Sequence, residues 1–474
     1  MLAAALLAIS AFSVSAPPTP QARAAPRQNI VLILTDDQRP NTLQYMPNVT
    51  SELVANGVKF THSFDNNPLC CPARATILTG QTSGDNGVWF NTDSPIGGFQ
   101  AFKPHGGQTV VKWLHDAGYH TGFIGKFMNG YKYSTGNYKW ILPGTDEWDA
   151  FLLDGTAQTK TGCSPKGYYA TCYSHNGTLE THGPSDYSTT TSGAKAVDFI
   201  DSTPANQPLF LYYAPRAPHL PIIPENKYVN ACPTLPLLRP PSYGELIQHG
   251  PAFMESLKKI SAKVAASYDL EWKNSCRTLL SVDDQVKNIV QALQDTNRLD
   301  NTLILYASDN GFLFGEHRWK GKIVPYDEAS NVPVVIRDDA YGTAGTVDDH
   351  LITNMDYTAT FLDAAGVSAP AGYRMDGQSM LPLIGGSGTW NNENAVLIEH
   401  SGGDKVPPYC GVRVSGWLYT RYATGEEELY DMTSDPYQLT NVAGQPGNAG
   451  ILDDLRAQTK ALCHPLPPGF TWGT

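Results

Sequence analysis

Apolar runs alternate with amphipathic segments along most of the chain. The run Asn29–Leu34 is almost continuously apolar and is followed by Thr35, Asp36 and Asp37, the pattern of a buried strand with polar residues at its carboxyl end. Further strands are predicted at His120–Ile124, Leu209–Tyr213, Thr302–Tyr306 and Val332–Ile336. Helices are predicted at Val49–Asn56, Val110–Asp116 and Arg277–Leu293. This alternation predicts an α/β fold, in which a large, mostly parallel or mixed sheet is flanked by helices on both faces.

The pattern changes after about Met375, where the predicted elements become short. They are the strands Ala395–Glu399, Trp417–Tyr422 and Glu427–Tyr430 and a final helix near Ile451–Leu462. We therefore predict a large domain at residues 26–374 and a smaller C-terminal α+β domain at residues 375–474. The segment from Asp154 to Tyr187 is rich in Gly, Thr and Ser, which predicts a surface excursion.

The N-terminus has the features of a secretory signal. An apolar run from Leu2 to Val14 is followed by small residues with Ala-x-Ala spacing at Ala22 and Ala24. The run is shorter than the roughly 20 residues that a membrane-spanning helix needs. We expect residues 1–25 to be a signal peptide and the protein to be secreted, to the periplasm or the extracellular medium.

Export gives a meaning to the eight cysteines. Six of them are far from the adjacent pair Cys70 and Cys71 and are expected to form three disulfides in an oxidising compartment. They are Cys163, Cys172, Cys232, Cys276, Cys410 and Cys463. Cys163 and Cys172 would close a short loop, and the other pairings stay open. Adjacent cysteines rarely bond each other because the geometry is strained, so Cys70 and Cys71 need another explanation.

Composition excludes two broad classes of protein. Hydrophobic residues make up 41% of the chain and charged residues 16%, which is the balance of a compact globular protein and not of a disordered one. The formal net charge is -12, so the chain lacks the basic surface of a nucleic-acid binder. The sequence has no long apolar run of the kind that would indicate a membrane partner. Basic residues that gather in one site would therefore be informative.

The segment from Leu69 to Gly80 has the features of an anion-binding helix start. Pro72 suits the first position of a helix and Gly80 the position just after its end, so Cys70 would precede the helix N-terminus. The free N–H groups and the positive dipole end would face whatever Cys70 holds, and Arg74 adds a planar donor for a tetrahedral oxyanion. Taken alone, the segment fits a structural turn with an exposed Arg better than a functional site.

These residues resemble a known family. Cys70-Cys71-Pro72-Ala73-Arg74, followed by Ala-Thr-Ile-Leu-Thr-Gly, resembles the C-x-P-x-R signature of type I sulfatases, whose first Cys becomes formylglycine. The resemblance runs from Asn29 through Ser308-Asp309-Asn310-Gly311 to Glu428-Leu-Tyr-Asp-Met-Thr-Ser-Asp-Pro436. The doubled cysteine and Gly125-Lys126-Phe127-Met128-Asn129 are most similar to the N-acetylglucosamine-6-sulfatase and arylsulfatase branch. The resemblance implies an alkaline-phosphatase-like sulfatase fold.

Oxygen-bearing side chains follow two of the predicted strands. Asp36 and Asp37 follow the first strand, and Asp309 and Asn310 follow the strand Thr302–Tyr306. Oxygen ligands select a hard cation, Ca²⁺ or Mg²⁺. The resemblance implies one Ca²⁺, with residue 70 as a further ligand. Each pair taken singly is also consistent with a simple turn or helix cap.

Basic and titratable residues complete the predicted site. Lys126, His219 and Lys322 join Arg74 as candidate catalytic residues, and three of these four follow strands or lie in loops beyond them, where open α/β sheets bind ligands. The family pattern has a His two residues after the Lys, where this chain has Met128, and Asn129 is expected to replace part of its role. Ala73 is a second departure, because the family often has Ser there. His317 is a candidate substrate-side residue.

The resemblance implies hydrolysis of a sulfate ester. The nucleophile would be a hydroxyl of hydrated formylglycine at residue 70, assisted by the cation, and His219 or Lys322 would protonate the leaving oxygen. We expect a 6-O-sulfated N-acetylglucosamine as substrate, with Trp89, Tyr131, Tyr133 and Trp140 as candidate stacking faces. The implied partner protein is a formylglycine-generating maturation enzyme.

Two alternatives stay open at the level of sequence. One is a formylglycine-dependent phosphonate monoester or phosphodiester hydrolase, because a tetrahedral-anion pocket does not separate sulfur from phosphorus. The other is a secreted, non-catalytic protein that binds sulfated glycans and whose Cys70 is never converted.

Overall fold

The computed structural model describes residues 27–152, 162–164, 167–341, 344–386, 390 and 395–473. The predicted signal peptide lies outside the described residues, as does part of the predicted surface excursion. Within this described part of the chain, none of the helices combines the length and the apolar character needed to cross a lipid bilayer.

A mixed sheet of 10 strands forms the centre of the molecule. Its strands are β1 (Asn29–Thr35), β2 (Val58–Phe64), β3 (His120–Gly125), β4 (Glu147–Phe151), β5 (Cys172–His175), β6 (Thr178–Thr181), β7 (Leu209–Ala214), β8 (Thr302–Ser308), β11 (Val334–Asp338) and β12 (Thr346–Thr353). They lie in the order β12-β2-β11-β8-β1-β7-β3-β4-β5-β6. The strands from β8 to β4 run parallel, whereas β11, β5 and β6 pair antiparallel with their neighbours. Two short strands, β9 (Leu313–Phe314) and β10 (Lys320–Gly321), form a separate hairpin.

Helices cover both faces of this sheet. The α-helices are α1 (Cys70–Thr79), α2 (Ser83–Asn86), α3 (Gly98–Phe102), α4 (Val110–Asp116), α5 (Ser188–Ser202), α6 (Ala252–Glu255), α7 (Ala262–Asp295), α8 (Asp327–Ser330), α9 (Asp356–Ala365), α10 (Leu381–Ile384) and α11 (Ala449–Leu462). Val49–Val54 forms a π-helix. Helix α7 begins well before the predicted Arg277–Leu293. The prediction began too late because the first turns of the helix are partly exposed and lack the apolar pattern on which it relied.

The alternation of side chains along β1 explains the two layers. Ile30, Leu32 and Leu34 pack with α1, α4 and α9 in one hydrophobic cluster. Val31 and Ile33 point to the opposite face and pack with α5 and α7 in a second cluster. Both faces of β1 are therefore buried, which is why its sequence is apolar at every internal position. The predicted α/β fold with flanking helices is confirmed.

A smaller antiparallel sheet follows near the C-terminus. It contains β13 (Val396–His400), β14 (Tyr409–Arg413), β15 (Trp417–Tyr422) and β16 (Glu427–Asp431), in that order. Helix α11 packs on its Val412, Tyr419 and Leu429 side, and a disulfide joins Cys410 to Cys463. The predicted C-terminal α+β unit is confirmed as a separate sheet with a helix, while its boundary at residue 375 stays a prediction.

The predicted surface excursion contains regular structure. Where it is described, β5 and β6 form the outer edge of the main sheet, and a disulfide joins Cys163 to Cys172, as the sequence analysis predicted. The other described pairing is Cys232 with Cys276, while Cys70 and Cys71 are free thiols. These strands are only four residues long and polar in sequence, and no residue of β6 is buried, so they resemble loops in sequence.

Candidate functional site

Four neighbouring parallel strands bring most of the predicted residues to one edge of the main sheet. In the order β8-β1-β7-β3, their carboxyl ends lie side by side. Asp309 and Asn310 follow β8, Asp36 and Asp37 follow β1, His219 lies in the loop after β7, and Lys126 follows β3. Backbone hydrogen bonds continue past the strand ends: the N–H of Asp309 donates to Thr35 O at 3.1 Å and that of Lys126 to Ala214 O at 2.8 Å. The strand order therefore assembles side chains that are far apart in sequence.

Cys70 is the first residue of helix α1, so the helix begins two residues before the predicted start at Pro72. Leu69 is its extended N-cap, and Gly80 ends it in the left-handed conformation with φ 71°. This conformation favours glycine, and a Cβ at Gly80 would in addition lie 2.0 Å from Met375 Sδ, which would have to shift. The positive end of the helix dipole consequently lies at Cys70, the position that favours an anion.

The two adjacent thiols have different surroundings. Cys70 Sγ lies 3.5 Å from Asp36 Oδ1 and accepts a hydrogen bond from Lys322 Nζ at 2.8 Å. Cys71 Sγ packs in the hydrophobic core and accepts a hydrogen bond from the N–H of Asn129 at 3.2 Å. Burial raises the pKa of Cys70 to about 12, so its unmodified thiol stays protonated near neutral pH and is a weak nucleophile. Only Cys70 faces the polar cluster.

Lys322 enters the site from the loop after β10. Its ammonium contacts Asp37 Oδ1 and lies 2.8 Å from Cys70 Sγ and 3.1 Å from Asn310 Oδ1. Burial is the largest single effect and acts to lower the pKa of Lys322, but the charges of Asp37 and the other acidic groups around it together outweigh burial and hold the pKa well above its usual value. Three electron-rich groups therefore converge on a positive charge.

Lys126 and Asp36 form a second buried pair. Their Nζ and Oδ2 atoms are 2.5 Å apart, and the two residues are 3% and 0% exposed. Burial is the largest single effect and acts to raise the pKa of Asp36, but the charges of Lys126 and the other basic groups around it together outweigh burial, so the pKa of Asp36 lies well below its usual value. Both groups are charged at neutral pH.

Arg74 is held by the protein itself. Its Nε and a terminal nitrogen lie 2.9 and 2.8 Å from Asp309 Oδ2, and its other terminal nitrogen donates to Lys126 O at 2.8 Å. Burial, with the charge of Asp36, raises the pKa of Asp309 to about 6. Arg74 thus orients Asp309 and the loop that carries Lys126, and its predicted contact with sulfate stays a prediction.

His219 faces the cluster with one ring nitrogen. Its Nδ1 lies 2.5 Å from Leu220 O, and its Nε2 lies 3.8 Å from Asp37 Oδ2. A carbonyl oxygen only accepts hydrogen bonds, so we assign the ring proton to Nδ1, which leaves Nε2 as an acceptor toward the site. Burial lowers the pKa of His219 to about 4, so the ring is neutral at pH 7.

The acidic residues fit a hard divalent cation. Ligand atoms of Asp36, Asp37, Cys70 and His219 all lie within 4.8 Å of one another. The predicted ligands Asp309 and Asn310 adjoin them: Asp309 Oδ1 accepts from the N–H of Asp37 at 3.2 Å, and Asn310 Nδ2 donates to Asp37 Oδ1 at 2.6 Å. Carboxylate and amide oxygens suit Ca²⁺ or Mg²⁺, whereas a thiol suits them poorly. An oxygen-bearing formylglycine at residue 70 would complete the fit.

Several candidates from the sequence lie elsewhere. His317 is fully buried, and its ring centroid lies 4.7 Å from that of Tyr326. Neither of its ring nitrogens has a hydrogen-bond partner within the described part of the chain, and its substrate-side role stays a prediction. Trp89 and Tyr131 are 4% and 2% exposed and pack in the core, so neither offers a free stacking face. Tyr133 and Trp140 pack against the same core, partly buried. The aromatic residues of these loops therefore serve mainly to pack the core, and their presence in the sequence did not identify ligand contacts.

Two site residues were missed. Asn91 accepts a hydrogen bond from the N–H of Cys71 at 2.8 Å, and nothing in the surrounding loop sequence marks it. Arg216 lies beside His219, with its NH2 3.3 Å from His219 Nδ1. It follows β7 by two residues, so the rule that ligands bind beyond strand ends could have identified it.

Comparison with known proteins gives consistent matches. The family model described as Sulfatase matches residues 28–367, and the model described as N-sulphoglucosamine sulphohydrolase, C-terminal, matches residues 315–464. Together they extend across the main sheet and most of the small sheet.

Individual relatives are similar over most of this chain. An extracellular sulfatase SULF-1 homolog of Drosophila melanogaster is 30% identical over 79% of this chain, although the chain spans only 33% of that protein's length. An N-acetylglucosamine-6-O-sulfatase of Bacteroides thetaiotaomicron is 26% identical over 93% of this chain and 87% of its own length. A solved structure, described as a complex with its substrate D-glucosamine-2-N,6-O-disulfate, has a TM-score of 0.77 at 23% identity and covers 92% of this chain and 97% of its own.

Proposed function

The chain belongs to the sulfatase family, and on that premise we propose that it hydrolyses sulfate esters of sugars with a formylglycine formed from Cys70. The observation that carries the proposal is the convergence at Cys70. The start of helix α1 meets the buried Lys126, the largely buried Lys322, and the carboxylates of Asp36 and Asp37. This combination suits a nucleophile beside a tetrahedral anion.

The proposed cation is one Ca²⁺, with Mg²⁺ as the alternative. The proposed ligands are Asp36, Asp37, Asp309, Asn310 and the oxygen of a converted residue 70. His219 Nε2 lies nearby, 3.8 Å from Asp37 Oδ2. When bound, the cation supplies Lewis-acid stabilisation of negative charge and, with formylglycine, an oxygen nucleophile at neutral pH.

The lysines have the positions and charges needed to bind the sulfate group. Both are nearly or fully enclosed by protein and both stay protonated, because neighbouring carboxylates raise their pKa values against the effect of burial. In such a site, fixed positive charges stabilise charge that develops on the sulfate oxygens more than they would in water. Lys322 is also the nearest described proton donor to residue 70 and is our candidate for protonating the leaving oxygen.

His219 is proposed to assist by accepting a hydrogen bond. Because Nδ1 is engaged by Leu220 O, Nε2 is the atom available to the site. This arrangement favours proton acceptance by His219. Of the two residues that the sequence offered as proton donors to the leaving oxygen, we therefore propose Lys322. Met128, at the position of the family His, is 3% exposed and has no group that moves a proton.

For the natural substrate we propose a 6-O-sulfated N-acetylglucosamine unit of a glycan. The name of the Bacteroides thetaiotaomicron relative and its coverage of both chains support this choice. We also propose that the protein is exported, for which the sequence of residues 1–25 and the name of the Drosophila melanogaster relative are the support. A maturation enzyme that oxidises Cys70 is then required as a partner.

The test is an activity assay on the full chain produced together with a formylglycine-generating enzyme. We expect turnover of an aryl sulfate, weaker turnover of the matched aryl phosphonate monoester, and no turnover by Cys70→Ala. Stronger turnover of the phosphonate would replace the proposal by the phosphonate hydrolase alternative. If Cys70 stays unconverted beside the maturation enzyme, and neither these esters nor N-acetylglucosamine-6-sulfate is turned over, the glycan-binding alternative replaces the proposal.

A further inference from the structure

A cavity of about 480 Å³ opens beside the proposed sulfate position. Lys126 and His219 line it and also belong to the site, so a molecule bound at the site extends directly into this space. Asn91, Met128, Lys132 and Arg216 are among its other lining residues. Its volume lies within the range of about 300 to 1,000 Å³ that is usual for small-molecule sites.

Arg216 is a buried cation that lacks a carboxylate partner among the described residues. The residue is 6% exposed, and its NH2 donates to Leu220 O at 2.7 Å. Its Nε is buried and has no hydrogen-bond partner within the described part of the chain. A buried guanidinium without a counter-ion is costly, and a planar donor of this kind suits a carboxylate or a sulfate in two-point contact.

The backbone around Arg216 keeps its side chain in this position. Gly167 lies directly against it, and a Cβ there would be 2.8 Å from Arg216 NH1. The guanidinium also lies over the ring of Tyr168, with 5.9 Å between Cζ and the ring centroid. The side chain is therefore held in place before any ligand binds.

The charge of the cavity lining also favours an anionic ligand. Lys132 is a second lining cation without an ion pair among the residues that the structure describes, and Asp93 is the one acidic residue of the lining. The carboxylate of Asp93 is exposed and accepts a hydrogen bond from the N–H of Gln100 at 2.8 Å. In a chain with a net charge of -12, this positive wall is a local exception.

We propose that Arg216 binds a second anionic group of the substrate, so that the enzyme prefers sulfated sugars that carry another negative charge near the cleaved ester. This inference rests on the proposed sulfatase function and deepens it. Two chemical sources supply such a group: an N-sulfate on the same glucosamine ring, or the carboxylate of a neighbouring hexuronic acid. Arg216 is a specificity-determining residue in this account and takes no part in bond cleavage.

The test compares kcat/KM of the wild type and Arg216→Gln on four substrates. An aryl sulfate and N-acetylglucosamine-6-sulfate carry one anion, whereas glucosamine-2-N,6-O-disulfate and a hexuronate-linked N-acetylglucosamine-6-sulfate carry two. Arg216→Gln should lose about 10- to 100-fold on whichever doubly charged substrate supplies the bound group, and less than about twofold on the singly charged ones. Arg216→Lys should recover part of that loss.

Controls separate this inference from the function on which it rests. Arg239→Gln removes an exposed arginine that pairs with Asp269 outside the cavity, and its substrate ratios should equal those of the wild type. Equal losses by Arg216→Gln on all four substrates, or no loss on either doubly charged one, would overturn the inference. If the wild type hydrolyses none of them, calorimetry on Cys70→Ala protein decides: binding of a doubly charged sugar must weaken at least about tenfold when Arg216→Gln is added.

Discussion

The ammonium of Lys322 lies 2.8 Å from the sulfur of Cys70, although 252 residues separate them in the chain. Lys322 directly follows the hairpin of β9 and β10, and Cys70 lies in the first turn of α1. Cys71, the next residue, has no such neighbour, because its sulfur turns into the core and meets the N–H of Asn129. The fold thus distinguishes two chemically identical side chains.

That distinction predicts that Cys70 alone is essential. Cys70→Ala should lower kcat at least about 10³-fold on an aryl sulfate, because it removes the nucleophile. Cys71→Ser should stay within about tenfold of the wild type, since it alters core packing and the contact with the N–H of Asn129 but none of the charged groups around Cys70. Peptide mass spectrometry should locate the aldehyde at residue 70, and active protein with an aldehyde at residue 71 would contradict the assignment.

The acidic cluster predicts dependence on a divalent cation. Chelation should abolish turnover, added Ca²⁺ should restore it, and Asp37→Asn should lose the ion in elemental analysis. Asp37→Asn is preferable to a change at Asp309, because Lys322, the cation paired with Asp37, is 11% exposed and keeps contact with solvent. Arg74, the cation paired with Asp309, is 1% exposed, and the loss of its counter-ion would cost about 3–5 kcal/mol of stability.

Asp349→Asn is the matched control for the cation. It alters Asp348-Asp349-His350, another group with the spacing of metal ligands, which lies on β12. Metal content and activity should match those of the wild type. A full complement of tightly bound ion in Asp37→Asn would show that the cation binds elsewhere.

Much of the site was predictable because its residues follow apolar strands. Asp36, Asp37, Lys126 and Asp309 are polar residues at the ends of continuously buried runs, and parallel strands place such ends at one edge. The order of the strands was not readable in this way. It depends on which helices cover which face, and the sequence of any one strand carries no record of its neighbours.

Partnerships among charged side chains were the least predictable feature. The sequence marks Arg74 as an anion donor, but not that Asp309 takes its guanidinium. His317 has the appearance of a functional loop histidine, and its burial against Tyr326 depends on packing that forms only in the folded chain. Arg216 was overlooked because its lack of a carboxylate partner is a property of the assembled cavity.

Stability should decrease as pH rises, and Glu428 should be one cause. Burial raises the pKa of Glu428 from its ordinary 4.5 to about 7, although the hydroxyls of Tyr422, Tyr430 and Tyr326 donate to it. The folded state therefore keeps a proton that the unfolded chain loses first. Its contribution is complete below pH 4.5 and is lost as pH rises through about 7, a change on the order of 3 kcal/mol.

The measurement is the free energy of unfolding by denaturant at about pH 5 and pH 8. Glu428→Gln should show a smaller decrease than the wild type, because its neutral side chain has no proton to lose. Glu427→Gln is the neighbouring control with the opposite sign: hydrogen bonds from Arg456, Tyr419 and Arg421 together outweigh burial and lower the pKa of Glu427 to about 2, so its stabilisation is lost only at acid pH, below the range of this measurement. Identical pH profiles for Glu428→Gln and the wild type would contradict the prediction.

The disulfides predict both a thiol count and a stability difference. Denatured, unreduced protein should contain two thiols if Cys70 is unconverted and only that of Cys71 after full conversion. Cys410 and Cys463 are 53 residues apart, so replacing both with Ser should cost about 4 kcal/mol in the chain-entropy model. Thermal unfolding of this variant should be compared with replacement of Cys163 and Cys172, whose separation of 9 residues predicts a smaller loss. More thiols than two would disprove the pairing.

The last prediction concerns preference among sulfate esters. The cavity beside the site is lined by amide and ammonium groups of Asn91, Asn129 and Lys132, while the candidate stacking residue Tyr131 lies mostly buried. These groups can form hydrogen bonds with the hydroxyl and amide groups of a sugar. A plain aromatic ring would leave part of their hydrogen bonding unsatisfied. We therefore expect kcat/KM for N-acetylglucosamine-6-sulfate to exceed that for an aryl sulfate and for a sulfated galactose by about tenfold or more. Asn129→Ala should reduce the sugar's advantage over the aryl ester. A preference for the aryl sulfate or the galactose would overturn the substrate assignment, and hydrolysis of any of the three would still agree with a sulfatase.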